Sequence, residues 1–115
     1  MISGIYKITN KLNGHFYIGQ SVNIQARFRE HHFSGKHIED KDHNTPIHLA
    51  IYKYGWENFE TEILEECSKD LLNEREIYWI EKLSATKNGN YNILLGGQDR
   101  IKFYEKPIEI YDLNG

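Results

Sequence analysis

Two short β-forming segments joined by a turn constrain this chain more than any other feature. Gly4-Ile5-Tyr6-Lys7-Ile8-Thr9 and His15-Phe16-Tyr17-Ile18-Gly19 are rich in β-branched and aromatic residues and flank Asn10-Lys11-Leu12-Asn13-Gly14. Asn-Gly favours a type I′ turn, because that turn needs positive φ at both central residues. With the turn at Asn13-Gly14, Leu12 is expected to pair with His15, Ile8 with Gly19 and Tyr6 with Ser21. Strand side chains alternate, so this register puts Tyr6, Tyr17 and Gly19 on one face. The glycine leaves room for a group to approach the backbone. On pattern alone, the tyrosine pair also reads as a cross-strand cluster that only stabilises the hairpin.

The rest of the chain alternates helices and extended segments. Asn23 is positioned to cap a helix over Ile24–Phe33, with Gly35 as its terminator. Ile24, Phe28 and His31/His32 recur at helical spacing; Arg27 and His31 lie four apart and flank that stripe, and a helix following the second strand can aim the pair at the tyrosine face. A second helix opens at Thr45-Pro46, with Asn44 or Thr45 as cap, and ends at Gly55. Its inner stripe is Ile47, Ala50, Ile51 and Tyr54. Phe59–Glu65 reads as a third strand. Ser68-Lys69-Asp70 caps a third helix to about Leu83, and Tyr91–Leu95 reads as a short strand or extended segment before Gly96-Gly97. The expectation is a small α/β (α+β) domain over residues 1–97, with a central three-stranded antiparallel sheet flanked by three or more helices. Residues 98–115 read as a linker leading into the start of a further hairpin. The chain stops on Asp-Leu-Asn-Gly with no return strand, so the natural protein is expected to continue.

Composition narrows the chemistry. With 14 Lys and Arg against 17 Asp and Glu, the net charge of −3 argues against a strong stand-alone nucleic-acid binder. Lys7, Lys11, Arg27, Arg29 and Lys36 nevertheless gather in the first third. One cysteine, Cys67, excludes an internal disulfide and a cysteine-based zinc cluster. No apolar run approaches the roughly 18 residues a membrane span needs, and no leader precedes the first strand, so a cytoplasmic setting is expected.

Glu76 is the second informative residue. It falls on the inward stripe of the third helix with Leu72, Trp79, Ile80 and Leu83. An inward carboxylate is costly unless it is paired, protonated or bound to a metal. A salt bridge to Arg27 is the ordinary alternative, and Glu74 replaces Glu76 if the helix register is shifted. Tyrosine, with a pKa of about 10, becomes a useful base only beside cations. Arginine's planar fork matches phosphate oxygens. One carboxylate with waters suits Mg²⁺. Together these groups suit attack of water on a phosphodiester. The six histidines, His15, His31, His32, His37, His43 and His48, lack zinc-site spacing and read mostly as solvated residues.

At these residues the sequence resembles the GIY-YIG nuclease family, over about Ser3 to Gly97. It carries Gly4-Ile5-Tyr6 and Tyr17-Ile18-Gly19, the Arg27-x-x-x-His31 pair, Tyr54-Gly55 with Asn58-Phe59, Glu76, and Asn92 after Tyr91. The resemblance implies that Glu76 holds a single divalent metal, Mg²⁺ with Mn²⁺ as the substitute. It makes Tyr6 the base toward the attacking water, with Tyr17 in support or on the phosphate. Arg27 would stabilise phosphate charge and His31 would assist proton transfer. Gly19, Asn92 and the less securely aligned His43 would support the site.

The spacing and the Lys106–Gly115 tail are most similar to the phage and intron homing endonucleases. That resemblance implies a monomeric catalytic head acting on double-stranded DNA, with specificity lodged in C-terminal DNA-binding modules. The competing functional readings are a DNA-binding or autorepressor module without cleavage, a repair- or restriction-type nuclease of the same family, and an unrelated interaction domain.

Overall fold

The structure, a computed structural model, describes residues 1–36 and 45–93. The expectations on His37, His43 and residues 94–115 lie outside the described residues. Strand β1 spans Gly4–Asn10, β2 Phe16–Ser21 and β3 Phe59–Glu66. Helix α1 spans Ile24–Lys36, α2 Pro46–Tyr54 and α3 Leu72–Leu83. Two 3₁₀ turns, Trp56–Asn58 and Lys69–Leu71, lead into β3 and α3. Among the described residues the strands form one antiparallel sheet in the order β2-β1-β3, as the sequence led us to expect.

The hairpin register differs from expectation by two residues. Tyr6 pairs with Gly19 and Ile8 with Tyr17. Only Gly14 of the turn pair has positive φ, at 81°, so Asn13-Gly14 is not a type I′ turn. The cause is Asn10. Its buried side chain accepts from the Leu12 N–H at 2.9 Å and donates to the Tyr91 hydroxyl at 3.2 Å. Its backbone N–H bonds the His15 carbonyl at 2.8 Å, so the strands close at Asn10 and His15, outside the Asn-Gly pair. A shift of two preserves side-chain parity, and Tyr6, Tyr17 and Gly19 still share a face.

The sheet divides two cores. On one face Tyr6 and Ile8 pack with Ile24 of α1, Ile47, Ala50 and Ile51 of α2, and Phe59. On the other, Ile5 and Ile18 pack with Leu72 and Ile80 of α3 and with Ala85. Fully burying each such isoleucine contributes about 1.5–3 kcal/mol, and the alternation along β1 feeds both layers from one strand. Asn23 caps α1 as expected: its side chain accepts from the Ala26 N–H at 3.2 Å. The helix runs through Gly35 to Lys36 instead of stopping there.

Of the strand or extended segment expected at Tyr91–Leu95, residues 91–93 are not a regular strand. They seal the open edge of β2 by other means. The Tyr91 N–H donates to the Phe16 carbonyl at 2.8 Å, and the Asn90 side chain accepts from the Phe16 N–H at 3.1 Å. The Asn92 amide accepts from the Ile18 N–H at 2.8 Å and donates to the Ile18 carbonyl at 2.9 Å. One side chain thus supplies both bonds that a neighbouring strand would. Asn92→Ala strands both backbone groups of buried Ile18 and is expected to cost about 2–4 kcal/mol of stability, read as a lowered urea midpoint at unchanged m-value. A change under about 0.5 kcal/mol would show that water replaces the amide without penalty.

Candidate active site

Gly19 shapes the site. Opposite it, the Tyr6 side chain lies over the β2 backbone so closely that an added Cβ would sit 2.4 Å from the Tyr6 hydroxyl and 2.9 Å from the Tyr17 ring. Any side chain there would evict the Tyr6 ring. Tyr6 is fully buried, with Phe28 edge-on at 5.3 Å and Tyr17 at 6.3 Å between ring centroids.

A buried hydroxyl needs a hydrogen-bond partner. Tyr6 Oη lies 2.8 Å from His31 Nε2, and the Arg27 side chain also reaches the hydroxyl. Burial raises the Tyr6 pKa strongly. The neighbouring Tyr17 and the Glu76 charge push the same way, while Arg27 opposes them. Burial works against the Arg27 charge, yet Tyr6, Glu30 and Tyr17 outweigh it and hold the guanidinium protonated. Arg27 Nη1 meets Glu30 Oε1 at 2.7 Å, with 37% and 61% of the two side chains exposed. Such an exposed pair contributes about 0–1 kcal/mol, so it is easily broken.

His31 meets the tyrosine face as expected and lies deeper than expected. It does not flank the apolar stripe of α1 but is wholly buried within it. Burial, Arg27 and His48 lower its pKa well below the usual histidine range, which keeps the ring neutral. Its Nδ1 lies 3.0 Å from Nε2 of His48, itself buried on α2.

Glu76 approaches from the opposite face of the sheet, around the edge strand. It is buried at 6% exposure, and Glu74 is exposed, which settles the helix register. Arg27 pairs with Glu30, and Glu76 Oε1 accepts from the Gln20 side-chain amide at 2.7 Å. The same amide donates to Asn73 at 2.8 Å. Gln20 pairs with Ile5 and so points to the α3 side.

The structure therefore brings together Tyr6, Tyr17, Gly19, Arg27 and His31 on one side of β2, and Glu76 on the other. Asn92 acts one step away, on the backbone of Ile18 between Tyr17 and Gly19. Sequence reasoning missed Gln20, Glu30 and His48. The signal for Gln20 was its parity: one residue past Gly19, it belongs to the sheet face that α3 covers. His48 was grouped with solvated histidines, although it sits beside Ile47 and three residues before Ile51 on the inward side of α2.

Among the described residues no three His, Cys, Asp or Glu side chains gather into a metal cage. The donor set is one carboxylate with hard oxygen neighbours, which fits an ion that keeps most of its water shell, as Mg²⁺ does.

The depressed His31 pKa has a pH consequence. The unfolded chain takes up a proton near pH 6.5 that the folded chain refuses. This contribution is fully present above that pH and is lost as pH falls toward the folded value. Stability is expected to decline below about pH 6.5 by up to ~1.4 kcal/mol per pH unit from this group. Urea titrations from pH 7.5 to 5 test it, with His31→Gln as the reference that should lack this part of the slope. Equal slopes in the two proteins would refute it.

Residues 2–92 match the model of the GIY-YIG catalytic domain. The chain is 40% identical over 96 residues to intron-associated endonuclease 1 of Enterobacteria phage T4, covering 81% of this chain and 37% of that protein. It is 36% identical over 105 residues to a probable intron-encoded endonuclease of Neurospora crassa, covering 81% of this chain and 20% of that protein. A mutant form of the catalytic domain of intron endonuclease I-TevI superimposes with a TM-score of 0.72 at 35% identity, over 84% of this chain and 98% of that one. A second structure of the catalytic domain of homing endonuclease I-TevI matches with a TM-score of 0.64 at 34% identity, over 79% of this chain and 97% of that one. The chain spans well under half the length of the curated relatives and nearly all of the solved catalytic domains. By sequence pattern and by fold, it belongs to the GIY-YIG catalytic domain family.

Proposed function

We propose that this chain is the catalytic head of a homing-type endonuclease that hydrolyses phosphodiester bonds of double-stranded DNA with one divalent metal, Mg²⁺ in the first instance. The observation that carries this reading is the assembly around Gly19: two tyrosines, an arginine in an exposed, displaceable ion pair, and a buried carboxylate reaching the same strand edge. Nucleases of this family generally require a divalent metal, and Glu76 is the residue to hold it here. The ion, when bound, supplies charge stabilisation at the reacting phosphate.

The chain's own residues divide the remaining work. Arg27 moves from Glu30 to the phosphate, where its fork matches two oxygens. There the guanidinium stays near the Tyr6 hydroxyl, whose ionised form it favours. Tyr6 then receives the water's proton. The half-buried Tyr17 contacts the phosphate from the same face. His31, neutral through burial, is the acceptor behind Tyr6. Gln20 holds the Glu76 carboxylate in its orientation, and Asn92 fixes the β2 backbone that carries Tyr17 and Gly19. We take the head to act as a monomer, and its net negative charge fits one that leaves most DNA affinity to modules outside residues 1–93.

Plasmid nicking tests the reading. With Mg²⁺ or Mn²⁺ the natural protein should nick, and EDTA should abolish it. Glu76→Ala, Arg27→Ala and Tyr6→Phe should each lose roughly 100-fold or more. Nicking that survives EDTA or Glu76→Ala overturns the proposal. DNA binding without cleavage under any metal would point to a binding module instead. Residues 1–115 alone should bind DNA weakly and lose that binding as salt rises. Nanomolar, salt-insensitive binding by this fragment would contradict the division of labour.

A further inference from the structure

Behind Tyr6 the hydrogen bonds do not stop at His31. His31 Nδ1 lies 3.0 Å from His48 Nε2, and His48 Nδ1 lies 3.0 Å from Thr45 Oγ1. The line runs from β1 through α1 to the first turn of α2. It begins at a fully buried hydroxyl, crosses two buried rings and ends on an exposed residue. Thr45 is the N-cap residue of α2, yet its side chain makes no cap bond and is turned to His48.

A neutral imidazole carries one N–H, so each ring donates on one side and accepts on the other. Only two arrangements satisfy the whole line. In one, Tyr6 donates to His31 Nε2, His31 Nδ1–H donates to His48 Nε2, and His48 Nδ1–H donates to Thr45. In the other, every bond is reversed. Because each ring is locked to its neighbour, the state of His31 at Tyr6 is decided at His48 and Thr45.

We propose that His48, with Thr45 behind it, is a positioning residue that sets the tautomer of His31 and passes the proton leaving Tyr6 to solvent. This rests on the reading of Tyr6 as the group that receives a proton from the attacking water. As that proton arrives at the Tyr6 oxygen, the hydroxyl proton moves to His31 Nε2. The His31 Nδ1 proton moves to His48 Nε2, the His48 Nδ1 proton moves to Thr45 Oγ1, and the threonine's own proton passes to a solvent water. One proton enters the line and one leaves, and no charged ring is left inside. The reverse run, with a solvent proton entering at Thr45 and Tyr6 releasing one to water in the vacated site, restores the starting arrangement. The relay suits a tyrosine too buried to lose its proton outright and a histidine too buried to keep an extra one. The groups facing His31 are Tyr6 and Tyr17 from the sheet, Arg27 from its own helix and His48 from α2, with Glu76 acting on Tyr6.

Two variants separate the roles of His48. His48→Gln offers a carbonyl that still accepts from His31 Nδ1–H but cannot pass a proton on. His48→Leu offers nothing. Nitrogen-15 spectra of this chain should show His31 in a single neutral tautomer in the parent and in His48→Gln, and in a mixed or reversed state in His48→Leu. In the natural protein, DNA cleavage by both variants should fall roughly tenfold or more at neutral pH with DNA binding unchanged, and the loss should shrink as pH rises. Parent-like cleavage at every pH in both variants, with Tyr6→Phe inactive, overturns the relay and leaves the Tyr6 reading standing. So does a His31 tautomer that ignores His48→Leu. Full cleavage by Tyr6→Phe removes the Tyr6 reading, and the relay falls with it.

Discussion

A tyrosine hydroxyl buried against a strand backbone has to be satisfied, and much of the domain is arranged around doing so. The ring fits only because Gly19 faces it across the hairpin. Its oxygen is satisfied only because α1 delivers His31 and Arg27 one turn apart on the same side. His31 in turn needs a partner for its second nitrogen, and α2 delivers His48. Polar groups in a dry core are costly singly and rigidifying when fully connected. The first core is therefore an apolar cluster with a polar line threaded through it, and that line fixes how α1 and α2 sit on the sheet.

The opposite face solves a different problem. Glu76 lies on the buried stripe of α3, where an uncompensated charge would be expensive. Gln20 meets it from the edge strand with a neutral amide, and Asn73 shares that amide. These amides fix the direction of the carboxylate. β2 carries groups of both faces: Tyr17 and Gly19 turn to the Tyr6 side and Gln20 to the Glu76 side.

Much of this was legible in the sequence, for identifiable reasons. Alternation along β1 and helical spacing in α3 depend on local geometry alone, so the shared face of Tyr6, Tyr17 and Gly19 and the inward aim of Glu76 survive in the structure. The hairpin register was misjudged because turn chemistry was read from Asn13-Gly14, whereas a buried side chain at Asn10, tied to Tyr91, decided it. The segment from Tyr91 left strand and extended readings open, because it meets β2 through one backbone bond from Tyr91 and the side-chain amide of Asn92, and propensity does not describe the latter. His48 was missed for a related reason: a histidine is placed by what it bonds, and both its partners come from outside the local pattern.

The seal on β2 has a consequence for when the domain takes shape. The Asn92 amide and the Ile18 backbone are 74 residues apart along the chain, among the longest loops this fold closes. Contacts of that span carry the loop-closure entropy of everything between them and tend to form late. The hairpin, by contrast, can zip locally. A growing polypeptide would hold Tyr6 and Tyr17 on adjacent strands early, yet the edge beside them would stay unsealed until the last residues of the domain arrived. Ordering of the candidate phosphate-handling face is thereby coupled to synthesis of the whole domain, and an incompletely made chain has the tyrosines without the backbone geometry that aims them.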